Sequence, residues 1–128
     1  GNRIRIVNLI KPDAEKWIGK TIIIAGWVRT IRVQGGGSFC FIELTDGSSV
    51  KGIQIVVDKS TTEFEFLTAQ SIGASLSIKG LIIKSPGKGQ LIEMQVNNTS
   101  EHYVKVVGTC NPGEYKLFKG KEQIKLDV

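Results

Sequence analysis

Apolar and polar positions alternate along most of the chain with the period of two that a half-buried strand requires. The alternation falls into five runs. Thr21 to Ile31 is rich in β-branched residues and reads as a long first strand. Gly26 within it predicts a bend or bulge. Gly35-Gly36-Gly37 then reads as a flexible turn, Ser38 to Leu44 as the second strand, and Asp46-Gly47 as the next turn. Lys51 to Val57 is the third strand, Ala74 to Lys84 the fourth, and Leu91 to Val96 the fifth, resuming around Tyr103 to Val107. Ser85-Pro86-Gly87-Lys88-Gly89 separates the last two, and Asn111-Pro112-Gly113 ends the regular structure.

Two stretches break the alternation. Pro12 to Ile18, closed by Gly19, predicts a short N-terminal helical turn with proline near its start. Ser60-Thr61-Thr62-Glu63 has the spacing of a capping box, with Ser60 as N-cap, and predicts a helix through Gln70. Five strands with one helix between the third and fourth is the order of an OB-fold, a five-stranded Greek-key barrel of the all-β class. An SH3-like barrel or an open sandwich places a helix there less naturally. Residues 1–20 read as a basic N-terminal segment, 21–110 as the barrel, and 111–128 as a linker.

The two parities of each strand separate core from surface. Cys40, Ile42 and Leu44, Ile53, Ile55 and Val57, and Ile92, Met94 and Val96 are wholly apolar and must fill the barrel. The opposite parity leaves Phe39, Phe41 and Glu43, Gln54 and Val56, and Leu91, Glu93 and Gln95. Large aromatic rings outside a barrel need a reason. An OB-fold binds oligonucleotides on the outside of its second and third strands, where a ring such as Phe41 is a stacking platform. Gln54 can both donate to and accept from a base edge. Glu93 repels phosphate, so it suits selective reading of a base amino group better than nonspecific binding. The plainer readings are that Phe39 and Phe41 pack under a loop or a partner domain, and that Arg29 and Arg32 are a solvated face.

Charge sharpens this picture. The chain of 128 residues has net charge +5, within the size of one domain. Its excess lies in residues 1–32, with Arg3, Arg5, Lys11, Lys16, Lys20, Arg29 and Arg32 against Asp13 and Glu15. A basic N-terminal third favours a polyanion partner. Hydrophobic residues make up 41%, which argues against disorder, and no apolar run approaches a membrane span of ~18 residues. Cys40 lies on the apolar parity and reads as a buried thiol; it and Cys110 share no ligand spacing, nor does the single histidine, His102, so no metal site is expected. That pattern fits a reducing, cytoplasmic setting. Neither Gly35-Gly36-Gly37 nor Gly87-Lys88-Gly89 has the ending of a phosphate-binding Walker loop. No nucleophile–base pair stands out, so a self-contained enzyme is disfavoured. The chain starts at Gly1 rather than Met, which reads as a fragment or a processed chain.

Segments spread from Val7 to Leu117 carry a family likeness. GWVRTIR, FIELTDGS, GIQIVVD, SPGKGQLIEM and the late YKL, in this order and spacing, resemble the N-terminal anticodon-binding domain of asparaginyl-tRNA synthetase, a class IIb enzyme. The related aspartate and lysine enzymes share the opening pattern, whereas DGS before GIQ, and SPGKGQ, are most similar to the asparagine enzyme. The resemblance implies a domain that reads a GUU-type anticodon by stacking and hydrogen bonds. In it Phe41 stacks on the middle uridine, Gln54 bonds that uridine, Arg32 lies at the anticodon, and Glu93 reads the first anticodon base. The expected RNA-binding set is Arg29, Arg32, Phe39, Phe41, Gln54, Glu93 and Gln95. The implied partners are tRNA, the domain's own catalytic domain and a second copy in the full-length enzyme, with no membrane. No class II motif is present in these residues, so ATP and magnesium are expected only in an absent catalytic domain, with no cofactor for this one. Tyr115-Lys116-Leu117 stands where the family has YPL, so the hinge differs. The alternatives are a generic single-strand-binding OB module, the anticodon domain of the aspartate or lysine enzyme, and a protein-interaction module whose phenylalanines dock a partner.

Overall fold

In a computed structural model, residues 3–61, 64, 72–87 and 89–108 are described. The strands are β1 (Thr21–Gln34), β2 (Phe39–Thr45), β3 (Ile53–Asp58), β4 (Ser75–Lys84), β5 (Ile92–Val96) and β6 (Tyr103–Gly108). β1 serves both sides of the barrel: Thr21–Trp27 pairs with β4, and Trp27–Gln34 pairs with β2, both antiparallel. β2 pairs with β3, and β4 with β5, also antiparallel. A short parallel ladder, Ile55–Val57 beside Met94–Val96, closes the cylinder. β6 continues along the edge of β4 away from β1, so β5 and β6 are the expected interrupted fifth strand. This is the closed five-stranded barrel of an OB-fold. Of the expected helix over 60–70, only Ser60, Thr61 and Phe64 are described; the rest lies outside the described residues, as do Cys110, the Asn111-Pro112-Gly113 turn and the linker over 111–128.

The parity reading locates the core. All nine inward residues of β2, β3 and β5, from Cys40 to Val96, are buried, together with Ile22, Ile24 and Val28 of β1 and Leu76, Ile78 and Ile82 of β4. Burial pushes the Cys40 thiol up to about 11, so it remains a neutral, apolar filler. The N-terminal segment contributes more than charge. Two 3-10 turns, Ile6–Leu9 and Ala14–Trp17, bring Ile6, Leu9 and Ala14 into the same core. Asp46 fastens the first turn: one carboxylate oxygen accepts from the Ile6 amide at 2.9 Å, and the other from the Ser48 amide at 2.9 Å and from the Ser48 hydroxyl.

Two departures from the expected strands matter for the outer face. β1 runs on to Gln34, and its bulge lies at Arg29, between the pairs Val28–Leu44 and Thr30–Glu43, rather than at Gly26. The extra residue inverts the parity of β1 beyond Val28. Thr30, Arg32 and Gln34 therefore face outward, opposite Glu43, Phe41 and Phe39. Gly26 has a different job. A Cβ there would lie 2.3 Å from the Thr45 carbonyl oxygen, so the end of β2 crosses β1 only because no side chain intervenes. The glycine turn is a single 3-10 turn whose residues hold φ of 64°, 67° and 95°, a left-handed run that glycine alone adopts without strain.

Gly26→Ala is expected to cost at least ~1–3 kcal/mol, read as a lower urea midpoint, because backbone must move to admit the methyl; an unchanged midpoint would contradict the close crossing. Asp46 gives a pH signature. Burial raises its pKa, but hydrogen bonds from the Ile6 amide and the Ser48 hydroxyl and amide, with the Arg5 charge, outweigh that and hold it below the ordinary 3.8. The stabilisation is thus fully present above that value and is lost as pH falls through the lower, folded one. The stability gap between wild type and Asp46→Ala is expected to be constant near neutrality and to close on acidification; a gap that widens in acid contradicts the assignment.

Candidate nucleic-acid interface

The outer face of β1, β2, β3 and β5 is organised in rows set by register. Arg32 lies opposite Phe41, Phe41 opposite Val56, and Val56 opposite Gln95. The next row is Thr30, Glu43 and Gln54. Gln54 and Glu93 each precede a member of the Ile55–Met94 pair in the parallel ladder, so they share a face, and the Gln54 amide nitrogen donates to Glu93 Oε1 at 3.0 Å. The Arg32 guanidinium sits over the Phe41 ring, 5.1 Å from its centroid, within the range of a cation–π contact.

Thr30, Arg32, Phe41, Glu43 and Gln54 from these rows line the floor of a groove of about 290 Å³. Its rim is made by Lys51 and Gly52 of the β2–β3 loop and by Gly89 and Gln90 of the β4–β5 loop. The Lys51 ammonium donates to the Gly89 carbonyl and so ties the two loops together. Beyond that tie lies a second hollow of about 340 Å³, lined largely by Leu9, Ile10, Ile53, Leu91 and Ile92. Aromatic ring, guanidinium, ammonium and amide on one concave wall offer stacking, phosphate attraction and hydrogen bonding together.

The residues singled out in the sequence do not all meet here. Arg32, Phe41 and Gln54 line the groove. Arg29, the bulge residue, turns away to Glu43 Oε2 at 3.3 Å and to the Val50 carbonyl. Glu43 Oε2 also accepts from the Gly52 amide at 3.1 Å, so this pair shapes the β2–β3 loop. Phe39 is on the same face but at its far end, opposite Gln34 and Asp58, with its ring against the glycine turn. Asp58 stays charged there, because the amide and hydroxyl of Ser60 hold its carboxyl below the usual range. Gln95 is half-buried and accepts from the Asn97 side chain at 3.2 Å. Glu93 lies on the outer parity yet is 5% exposed, under the β4–β5 loop, where Ser85 Oγ donates to Oε1 at 3.2 Å. Thr30, Glu43, Lys51 and Gln90 line the groove without having been named as binding residues; of these, Glu43 had a signal, the outer parity it shares with Phe41. Among the described residues, no group of three or more His, Cys, Asp or Glu converges on a metal position.

A five-stranded barrel of this order, with a polar, ring-bearing groove outside its second and third strands, defines an oligonucleotide-binding OB-fold module. A family model for OB-fold nucleic acid binding domains, of the tRNA anti-codon type, matches residues 22–116. The chain belongs to that family. It is 40% identical over 117 residues to an asparagine–tRNA ligase of Parabacteroides distasonis, covering 91% of this chain and 23% of that protein. An asparagine–tRNA ligase of Desulfitobacterium hafniense is 36% identical over 120 residues, covering 94% and 24%. The chain thus spans about a quarter of the length of the curated relatives it matches. In fold it is similar to the crystal structure of asparaginyl-tRNA synthetase from Pyrococcus horikoshii, with a TM-score of 0.68 at 21% identity over 85% of this chain and 23% of that one.

Glu93→Ala would leave the Gln54 amide and the Ser85 hydroxyl without their shared acceptor. A loss of about 1–3 kcal/mol in urea-unfolding free energy is expected, and an unaltered value would show that neither bond contributes.

Proposed function

We propose that this chain is the anticodon-binding domain of an asparagine–tRNA ligase and that the groove holds the splayed anticodon bases. The observation that carries the reading is the convergence of Phe41, Arg32 and Gln54 on one concave wall. A base laid on Phe41 gains stacking, which is sequence-tolerant. Gln54 beside it supplies the sequence-dependent part, because its amide offers a donor and an acceptor to a Watson–Crick edge. Arg32 and Lys51 place positive charge where the backbone of a bound strand must pass. The similarity to asparagine–tRNA ligases over nearly the whole chain supports the choice of tRNA among single-stranded partners.

On this reading the base on Phe41 is the middle uridine of a GUU-type anticodon. The domain contributes recognition, and the aminoacylation chemistry, with its ATP, belongs to a catalytic domain joined to it in a cytoplasmic, homodimeric enzyme. Selectivity arises because binding free energy gained at the anticodon favours the tRNA that reaches the distant active site.

Phe41→Ala is expected to weaken binding to an asparagine-type anticodon stem-loop by roughly 1–3 kcal/mol, measured by fluorescence anisotropy at fixed salt. Equal affinity of variant and wild type would remove the stacking role, and equal affinity of wild type for asparagine, aspartate and lysine stem-loops would favour a generic single-strand binder.

A further inference from the structure

Lys51 is exposed and lines both hollows, at the tie between the β2–β3 and β4–β5 loops. Its neighbours in sequence are held in place. The Val50 carbonyl accepts from Arg29 Nη1, and the Gly52 amide donates to Glu43 Oε2 at 3.1 Å. Arg29 Nη1 also donates to that same Oε2 at 3.3 Å. The backbone at Gly52 packs closely here: a Cβ would lie 2.6 Å from the Leu44 carbonyl oxygen and 2.8 Å from the Glu43 side chain. The Lys51 amide itself donates to Ser49 Oγ at 3.3 Å. One arginine–glutamate pair thus pins the backbone on both sides of one lysine.

Stability does not account for the pair. The Arg29 side chain is 43% exposed and that of Glu43 32%, and ion pairs in such surroundings contribute little to folding. For binding, the acid stands in an awkward place. Glu43 follows Phe41 by two residues on the same face of β2, about 7 Å along the strand. That is within the ~8 Å over which a charge is felt at physiological salt. A bare carboxylate there would repel the phosphates of a strand stacked on Phe41. Arg29 offsets its charge, and the bond to Gly52 gives it a use.

We propose that Glu43 is a positioning residue for RNA binding: with Arg29 it fixes the backbone around Lys51, so that the Lys51 ammonium meets a phosphate of the strand lying in the groove. This rests on the reading of the groove as an RNA site and assigns an acid of that groove a favourable part in it. In the free chain the ammonium rests on the Gly89 carbonyl, a neutral acceptor. A phosphate oxygen carries charge and attracts the ammonium more strongly. The Lys51 side chain can therefore pass from carbonyl to phosphate while its pinned backbone stays where it is. Little ordering of the loop then opposes binding, whereas a lysine on an unbraced loop would have to be immobilised first.

The sign of one substitution separates this from simple electrostatics, in which taking a negative charge out of a polyanion site tightens binding. Glu43→Gln is expected instead to weaken binding of the whole chain to an asparagine-type anticodon stem-loop, by about threefold to tenfold, the worth of an ordinary hydrogen bond. Lys51→Met is expected to weaken it about tenfold and to lower the slope of log affinity against log salt by about 0.7, one phosphate contact on a single strand. In the Lys51→Met background the Glu43→Gln loss is expected to vanish or to become a small gain, because no cation is left to aim. Unchanged or tighter binding by Glu43→Gln alone overturns the proposal. So does an equal loss in both backgrounds, because Glu43 would then act on RNA, or on the fold at large, without Lys51. The joint change Arg29→Met with Glu43→Gln removes the brace without stranding either charge, and its loss must likewise disappear in Lys51→Met; this second cycle decides the matter if Glu43→Gln alone does not fold. Failure of wild type to bind the stem-loop while it binds a single-stranded oligonucleotide of unrelated sequence overturns the anticodon reading alone. The cycle is then run with that oligonucleotide, since a phosphate contact carries no sequence information. Failure to bind either RNA overturns both.

Discussion

The barrel is closed by one short parallel ladder, Ile55–Val57 beside Met94–Val96, and the outer face depends on its register. The ladder satisfies the backbone groups that would otherwise leave β3 and β5 as open edges. Its register is set from inside, where Ile55, Val57, Met94 and Val96 are all buried. A slip by one residue would send these side chains to solvent and Gln54 and Glu93 into the core. Hydrophobic burial in the barrel thus fixes a hydrogen bond on its exterior, and the groove inherits its geometry from the core.

A second constraint acts on the opposite side of Phe41. The bulge at Arg29 changes the face of every later residue in β1 and so sets Arg32 beside the ring. The displaced Arg29 is then absorbed by Glu43 and the Val50 carbonyl, which steadies the β2–β3 loop at the groove's rim. One inserted residue thereby delivers one arginine to the wall and another to its support.

Much of this was legible in the chain. Strict alternation in β2, β3 and β5 separated Cys40, Ile42 and Leu44 from Phe41, and Ile53, Ile55 and Val57 from Gln54, because each set is apolar without exception. Most of what was not legible depends on contacts with other parts of the sheet or its loops. Arg-Thr-Ile-Arg-Val carries no sign of a bulge, so the outward face of Arg32 could not be read from parity. Gly26 looked like a bend, but its lack of a side chain answers to Thr45 across the sheet. Glu93 had the parity of a surface residue, yet it is buried, with Gln54 of β3 and Ser85 of the β4–β5 loop both hydrogen-bonded to its carboxylate. Ile6 and Leu9 sat in a segment notable for charge, and a 3-10 turn is too short to show the periodicity that would have marked them as core.

The most direct measurement of the central claim, that the outer wall of β1, β2 and β3 is the RNA-binding surface, is an amide NMR titration of this chain with an asparagine anticodon stem-loop. The account requires the largest shifts to cluster at Thr30, Arg32, Phe41, Gln54, Lys51–Gly52 and Gly89–Gln90. Shifts concentrated instead on β4 and β6, with that cluster unmoved, would contradict it.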